Sequence, residues 1–369
     1  MKDCKTVVVK LGTSTLTRGS KHLNKAHMLE IVRAVAALKS QGHKVLLVSS
    51  GAVAAGREQL NDPKLPALLS SKQMLASVGQ SKLMELYERF FSIYNIHIGQ
   101  ILLTRADLEN RERFLNAKDT LSALLEHDII PVINENDAVS TMEIKVGDND
   151  NMAALTGILC SADMVILLTD QKGLYDSDPR ENKDAKLIRE VTEINEDIIK
   201  VAGGSGTTLG TGGMSTKVKA ARVATMAGIT LVVASGDDPQ IIADIVSEKA
   251  EATYFRPQLS KIQSRKIWIQ AATKTSGSVV IDDGAVQALM QDGSSLLPSG
   301  IKKVCGEFER GSCISVTDSK GIALAIGICR YNSDEIDIIK GLKSHDIEEA
   351  LGFSHGAVVI HRDDLCIES

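Results

Sequence analysis

Residues 129–155, IIPVINENDAVSTMEIKVGDNDNMAAL, decide the fold. Ile129 to Ile133 is a short apolar run bounded by polar residues, the pattern of a buried strand's end. Asn134, Glu135, Asn136 and Asp137 follow in a row, and Asp148, Asn149, Asp150 and Asn151 come after a brief interlude. Met152 to Leu155 then open an apolar helix. Strand, polar cluster and helix in succession make up the repeating unit of an open α/β sheet, which binds its ligands beyond the carboxyl ends of its strands. The acids and amides are either a solvated loop or a polar site held at the strand end, and the ordered segments on both sides favour a site. A calcium loop does not fit. It needs a glycine after its third ligand and a glutamate at its twelfth position, whereas Gly147 precedes the acids and the twelfth residue from Asp148 is Leu159.

Working outward, the same unit recurs. Thr6–Leu11, Val45–Val48, His97–Leu103, Met164–Leu168 and Thr230–Ala234 read as strands, several of them near-continuous apolar runs suited to burial on both faces. Helical patterns fill 24–41, with Asn24 as N-cap and Gly42 as stop, then 52–60, 66–94, 110–126, 152–161 and 213–227. Alternation with short connections predicts a three-layer αβα sandwich around a mostly parallel sheet. The polar strand ends Lys10-Leu11-Gly12, Ser49-Ser50-Gly51, Asn134–Asp137 and Thr169-Asp170 then fall on one edge. The pattern changes near Pro257. Residues 1–257 are expected to form the first domain, 258–275 a polar connector and 276–369 a small β-rich, barrel-like domain with strands at 278–281, 302–304, 313–316 and 322–328.

The bulk numbers exclude several classes. With 369 residues, 43% apolar and 24% charged, the chain is an ordinary globular protein of two domains. Aromatics make up only 3%, so the core must rest on Val, Ile, Leu and Ala. A net charge of −5 gives no electrostatic case for nucleic acid or an anionic membrane. No apolar run reaches membrane-spanning length, and MKDCKTVVVKLG reads as the direct start of a strand rather than a secretory signal. Cys4, Cys160, Cys305, Cys313, Cys329 and Cys366 are scattered, as reduced thiols in a cytoplasmic protein would be, and no metal-ligand spacing is found.

Two further features carry chemistry. Gly203 to Lys217, GGSGTTLGTGGMSTK, is either a flexible linker or a glycine loop feeding a helix N-terminus, which binds anions through free N–H groups and the positive dipole end. It is neither a Walker A loop nor a dinucleotide fingerprint. Lys10, at the end of a buried strand, either snorkels to solvent or contacts a phosphate, with Asp150 as its partner if the polar edges converge. His361-Arg362-Asp363 mimics a protein-kinase catalytic loop, but Glu368 stands where asparagine is required. Together these features point to a nucleotide-dependent phosphotransferase.

VVKLGTS at 8–14, SSGAVAAGRE at 49–58, LLTRAD at 102–107, RERFLNA at 111–117, PVINENDAV at 131–139, KVGDND at 145–150, LLTDQKGLY at 167–175 and LGTGGMSTK at 209–217 resemble the bacterial glutamate-kinase branch of the amino-acid kinase family. The tail segments GSSLLPSGI at 293–301, CRYNSD at 329–334 and VVIHRDD at 358–364 resemble the PUA domain that these bacterial forms carry, with Cys329 where serine is common. The resemblance implies the amino-acid kinase fold and ATP-dependent phosphorylation of the γ-carboxylate of L-glutamate, the first step of proline biosynthesis. Carried over position by position, Lys10 and Lys217 stabilise the transferring phosphoryl group and Asp150 holds them. Ser50, Gly51, Asn134, Asp137, Asp148 and Asn149 bind glutamate. Lys10, Gly12, Thr13, Thr169 and Asp170 hold ATP together with Thr211, Gly212, Gly213, Met214, Ser215, Thr216 and Lys217. The resemblance further implies Mg2+ on the ATP phosphates with no dedicated protein ligands, feedback inhibition by proline, a homodimer or homotetramer, and handover of the product to glutamyl-phosphate reductase.

Rival readings are an amino-acid kinase acting on aspartate, acetylglutamate, carbamate or UMP, an RNA binder acting through the tail, and a catalytically dead sensor. From Arg265 to Ser369 the tail has eleven Lys and Arg against fifteen Asp and Glu, a net of −4, the wrong sign for a phosphate-backbone binder. The tail is expected to be structural or regulatory.

Overall fold

The computed structural model describes residues 5–139, 149–203, 213–264 and 275–367. These fall into two compact units, residues 1–108 with 120–259, and residues 109–119 with 260–369.

In the first unit the strands are β1 Thr6–Leu11, β2 Lys44–Ser49, β3 Ile98–Leu103, β4 Ile130–Glu135, β5 Met164–Thr169, β6 Glu190–Val191, β7 Thr230–Ser235 and β8 Thr253–Phe255. The helices are α1 Thr13–Thr17, α2 Lys25–Ser40, α3 Ala52–Gln59, α4 Leu69–Ser92, α5 Arg105–Glu109, α6 Arg111–Glu126 (its residues 111–119 count with the second unit), α7 Asn149–Leu159, α8 Glu196–Gly203, α9 Met214–Met226 and α10 Ile241–Val246. One eight-stranded sheet runs β3-β4-β2-β1-β5-β7-β8-β6, parallel throughout except for the antiparallel β7–β8 pair. Strand β1 pairs with β2 on one side and β5 on the other, so the chain reverses direction across the sheet at β1. An open α/β sheet has its binding crevice at such a reversal.

The β1, β2, β4 and β5 sequences are apolar on both faces because both faces are covered. Val7, Val9 and Leu11 join one core cluster with Met28, Ile31, Val32, Val35 and Leu38 of α2, and the intervening Val8 is also fully buried. On α2 these positions repeat at three- and four-residue spacing, one apolar stripe of a helix. Asn24 caps α2 by accepting the His27 N–H at 2.9 Å. The short strands β8 and β6 complete one end of the sheet and were not foreseen from the sequence, since three and two residues leave no period to detect.

Helices α3 and α4 cross without room for side chains between them. A Cβ on Gly56 would lie 2.0 Å from the Leu75 carbonyl oxygen, and one on Gly79 would lie 1.8 Å from that of Ala52. Both clashes are with backbone, so the two helices are seamed together directly.

In the second unit β9 Ser278–Ile281, β10 Ile301–Cys305, β11 Cys313–Thr317, β12 Ala323–Ile328 and β13 Leu365–Ile367 form a sheet of order β10-β9-β11-β12-β13. The β-rich expectation omitted the helices Asp283–Met290 and Ser333–Ile339. Asp282 caps the first by accepting the Ala285 N–H, and Asn332 and Glu335 form a reciprocal capping box at the second. Ile336 and Ile339 are fully buried in the same core as Val279, Ile314 and Tyr331. Arg310, itself buried, donates to the Arg330 carbonyl and reaches Asn116 and the Asp119 carboxylate of residues 109–119.

Candidate active site

Lys10 is the penultimate residue of β1, in register with Val48 of β2 and Leu167 of β5. The residue is 8% exposed, and its Nζ donates to Asp150 Oδ1 at 2.5 Å. Asp150, in the first turn of α7, is fully buried. Its other oxygen, Oδ2, accepts from Lys217 Nζ at 3.0 Å, and Lys217 comes from the first turn of α9. Thr216 Oγ1 lies 2.9 Å from the same oxygen. Burial alone would raise the Asp150 carboxyl, but the two ammonium groups more than offset it and hold it at about 2. Asp150 therefore remains an anion and fixes two buried cations side by side. Among the described residues Lys10 spends one of its three N–H donors on this contact, leaving two for a ligand.

A cavity of about 1070 Å3 opens at this end of the sheet and is lined by both lysines and Asp150. That exceeds the roughly 300–1000 Å3 typical of a pocket for one small molecule, so it has room for two substrates. From the ends of β2 and β4 come Ser50, Gly51, Asn134 and Asp137, with Asn149 from α7. Gly51 takes φ +98°, a left-handed turn that an L side chain resists, and releases α3 directly after Ser50. Asn149 Nδ2 donates to Ser50 Oγ at 2.7 Å and lies 3.3 Å from both the Ser49 carbonyl and Asn134 Oδ1. Burial pushes the Asp137 carboxyl above its usual range. An acid held in that condition gains from a cationic ligand.

From the ends of β1 and β5 come Gly12, Thr13, Thr169 and Asp170, which also line the cavity. A Cβ on Gly12 would sit 3.5 Å from Lys10 Nζ, so the glycine keeps the approach to the ammonium open. Thr169 Oγ1 donates to Asp170 Oδ1 at 2.9 Å. Gly213, Met214, Ser215 and Thr216 lead into and begin α9, but only Lys217 of that segment lines the cavity among the described residues. Asp148, Thr211 and Gly212 lie outside the described residues, as does most of the 138–147 segment. Sequence reasoning passed over Lys21, Arg57, Lys64 and Glu135, which also line the cavity. Glu135 is buried and was legible as part of the acid-and-amide run. The three cations sit on polar loop or helix positions that carry no signal of their own. Among the described residues there is no group of three or more His, Cys, Asp or Glu able to hold a metal ion.

Comparison with known proteins identifies the family. The model of the amino acid kinase family matches residues 5–235, more than half the chain, and that of the PUA domain matches residues 277–351. The chain belongs to the amino acid kinase family. Glutamate 5-kinase of Sodalis glossinidius (strain morsitans) is 54% identical over 367 residues, covering 100% of both chains. Glutamate 5-kinase of Vibrio vulnificus (strain YJ016) is 55% identical, covering 98% of this chain and 96% of its own. That of Haemophilus influenzae (strain PittGG) is 56% identical, covering 99% of both. Among solved structures, carbamate kinase from Giardia lamblia bound to AMP-PNP superposes with a TM-score of 0.50 at 15% identity, over 69% of this chain and 99% of its own. This last likeness concerns the fold alone. The fold is that of an amino acid kinase, with a large, mostly parallel sheet and a separate small PUA sheet.

Proposed function

We propose that this amino acid kinase transfers the γ-phosphoryl group of ATP to the γ-carboxylate of L-glutamate, giving L-glutamyl 5-phosphate and ADP, the first step of proline biosynthesis. The observation that carries the reading is the Asp150 clamp. Two buried ammonium groups stand 2.5 and 3.0 Å from one carboxylate, beside a cavity whose lining includes Ser50, Asn134, Asp137 and Asn149. Full-length similarity to glutamate 5-kinases supports the choice of acceptor.

The chemistry fits these groups. The acceptor carboxylate is already a nucleophile, so no general base is needed. The obstacle is bringing two anions together and stabilising charge that spreads over the equatorial oxygens of the phosphoryl group. Lys10 and Lys217 meet both demands, because Asp150 has placed them in advance and they need not reorganise during reaction. Ser50, Gly51, Asn134, Asp137, Asp148 and Asn149 take the amino acid, with Asp137 paired to its α-ammonium. Gly12, Thr13, Thr169, Asp170 and residues 211–217 hold ATP, with Lys10. Asp150 is engaged with the two lysines, and among the described residues no cluster of three or more His, Cys, Asp or Glu offers a place for a resident ion. Mg2+ fits best on the ATP phosphates with water as its other ligands, where it supplies positive charge.

The kinase chemistry is assigned to residues 1–257, and residues 276–369, joined through 258–275, form a structural or regulatory PUA domain rather than an RNA binder. No described helix is long and apolar enough to cross a membrane, and the protein is assigned to the cytoplasm. Proline acts as a feedback inhibitor at or beside the glutamate pocket, the active form is a homodimer or homotetramer, and the labile acyl phosphate passes to glutamyl-phosphate reductase. An ADP-release assay across glutamate, aspartate, acetylglutamate, carbamate and UMP tests the core of the reading. Turnover with glutamate alone supports it, and preference for any other acceptor overturns it.

A further inference from the structure

Gln80 does not line the cavity, yet its side chain reaches one of the residues that do. It follows Gly79 on α4, at the seam where α4 meets α3 without intervening side chains. Gln80 Oε1 accepts a hydrogen bond from Asn134 Nδ2 at 2.9 Å. Gln80 Nε2 is buried and has no hydrogen-bond partner among the described residues. A buried amide with one end unmet is costly. An apolar side chain of the same size would avoid that cost, so the acceptor end is what glutamine contributes here.

The direction of each amide in this chain follows from one group whose identity is fixed. The backbone N–H of Glu135 donates to Asn134 Oδ1 at 2.8 Å. Asn134 Nδ2 must then point the other way, and Gln80 can meet it only with Oε1. Asn134 Oδ1 also lies 3.3 Å from Asn149 Nδ2, which donates to Ser50 Oγ at 2.7 Å. With Nδ2 committed to these neighbours, Oδ1 is the atom that Asn149, a cavity-lining residue, has left for a ligand. Asn134 is 2% exposed, so water cannot replace Gln80 as the acceptor for its Nδ2. Without Gln80, each orientation of the Asn134 amide strands a buried N–H, and the present orientation loses its advantage. Seven residues further along α4, the fully buried Tyr87 hydroxyl lies 2.8 Å from Ser49 Oγ, so the same helix makes polar contact with the ends of both β2 and β4.

We propose that Gln80 is a positioning residue of the acceptor pocket. By accepting from Asn134 it locks the Gln80–Asn134–Asn149 relay in the orientation that shows a ligand ammonium an oxygen rather than an N–H. It thereby sets the preference for acceptors that carry an α-ammonium over dicarboxylates of the same length that lack one. The proposal rests on the reading of the pocket as a glutamate site.

The test compares wild type, Gln80→Met and Gln80→Glu, with glutamate and glutarate as acceptors. Methionine keeps the length and removes both polar ends. Glutamate at this position keeps an acceptor for Asn134 whether ionised or protonated. For Gln80→Met, the KM for glutamate is expected to rise about tenfold or more, with the KM for ATP within about twofold. The ratio of kcat/KM for glutamate over glutarate falls by about the same factor, because loss of an oriented acceptor weakens only the ligand with the ammonium. The melting temperature changes little, because the unmet Nε2 goes while one N–H of Asn134 or Glu135 is stranded in its place. Gln80→Glu keeps the glutamate KM within about threefold of wild type. An unchanged KM and acceptor ratio in Gln80→Met overturns the proposal, and so does an equal loss toward both acceptors and ATP, which marks a merely structural residue. Should Gln80→Met fail to fold, Gln80→Glu decides: a KM raised about tenfold overturns the proposal, and a near-normal acceptor ratio supports it. A wild-type protein that turns over no glutamate overturns the reading of the pocket itself, an outcome distinct from an active wild type whose Gln80 variants do not respond.

Discussion

Lys10 and Lys217 come from opposite ends of the first unit's sequence, yet their ammonium nitrogens lie 2.5 and 3.0 Å from the two oxygens of one carboxylate, Asp150. Neither lysine could be buried so deeply alone, and neither could stand beside the other without that anion. If both act on the phosphoryl group in flight, Lys10→Met and Lys217→Met each lower kcat by about a hundredfold to a thousandfold, the usual effect of removing one oriented donor to a developing charge. The KM for glutamate changes far less. Steady-state kinetics on both variants checks this, and near-normal kcat in both would sink the mechanism.

Asp150 also gives the site a characteristic response to acid. Its carboxyl sits at about 2 in the folded protein against an ordinary 3.8. Folding therefore favours the ionised form, and the stabilisation, roughly 2 kcal/mol by linkage, is complete above about pH 4. It is lost as pH falls from there toward 2. Asp150→Asn removes this dependence and leaves two buried ammonium groups without their counter-ion. Urea melts between pH 2 and 5 are expected to show a steeper pH dependence for wild type than for the variant, with the variant less stable at neutral pH.

For Asp137 the sign is reversed. Burial raises its carboxyl above the ordinary value, so the ionised form costs stability in the ligand-free protein at neutral pH. Asp137→Asn is expected to raise the melting temperature of the free enzyme slightly at pH 7, an advantage that fades as pH drops and Asp137 takes up its proton. The same variant raises the KM for glutamate about thirtyfold or more, the consequence of losing one partner of a buried charge pair. Thermal melts with and without glutamate, alongside kinetics, test both halves. Lower ATP affinity with glutamate use unaffected would mean that the pocket has been assigned the wrong way round.

Arg310 anchors residues 109–119 within the second unit through Asn116 and Asp119. Arg310→Met is expected to destabilise the protein by about 2 kcal/mol, a typical value for hydrogen bonds to a charged group. Hydrogen exchange should show the loss concentrated in 109–119 and around Arg330. Uniform protection across the variant would contradict this.

How much of this could be read in advance depended on periodicity and on contact order. The long strands β1, β2, β4 and β5 were legible because burial on both faces makes each a continuous apolar run. Strands β6 and β8 were not, for they exist only through their pairing with each other and with β7. In the second unit the helix Ser333–Ile339 was hidden by its brevity, although Asn332 followed by Glu335 was a visible capping-box signal. At the site, Lys10 announced itself as a cation where a buried strand should be apolar. Gln80 gave no such sign. On an amphipathic helix a glutamine reads as a solvated residue, and only the folded chain brings it to Asn134.

The seam between α3 and α4 has a consequence for how the enzyme could be watched at work. Helix α3 starts at the Gly51 turn and cannot tilt independently of α4, because Gly56 and Gly79 leave no gap to take up the motion. Beyond the seam, helix α4 continues from Gly79 to Ser92 and, at 1.5 Å per residue, gives a lever arm of about 20 Å. A shift of a few degrees at the Ser50–Gly51 turn is magnified at its far end, where Ile93 is exposed. An environment-sensitive dye at residue 93 would make that distant point an optical gauge of acceptor occupancy.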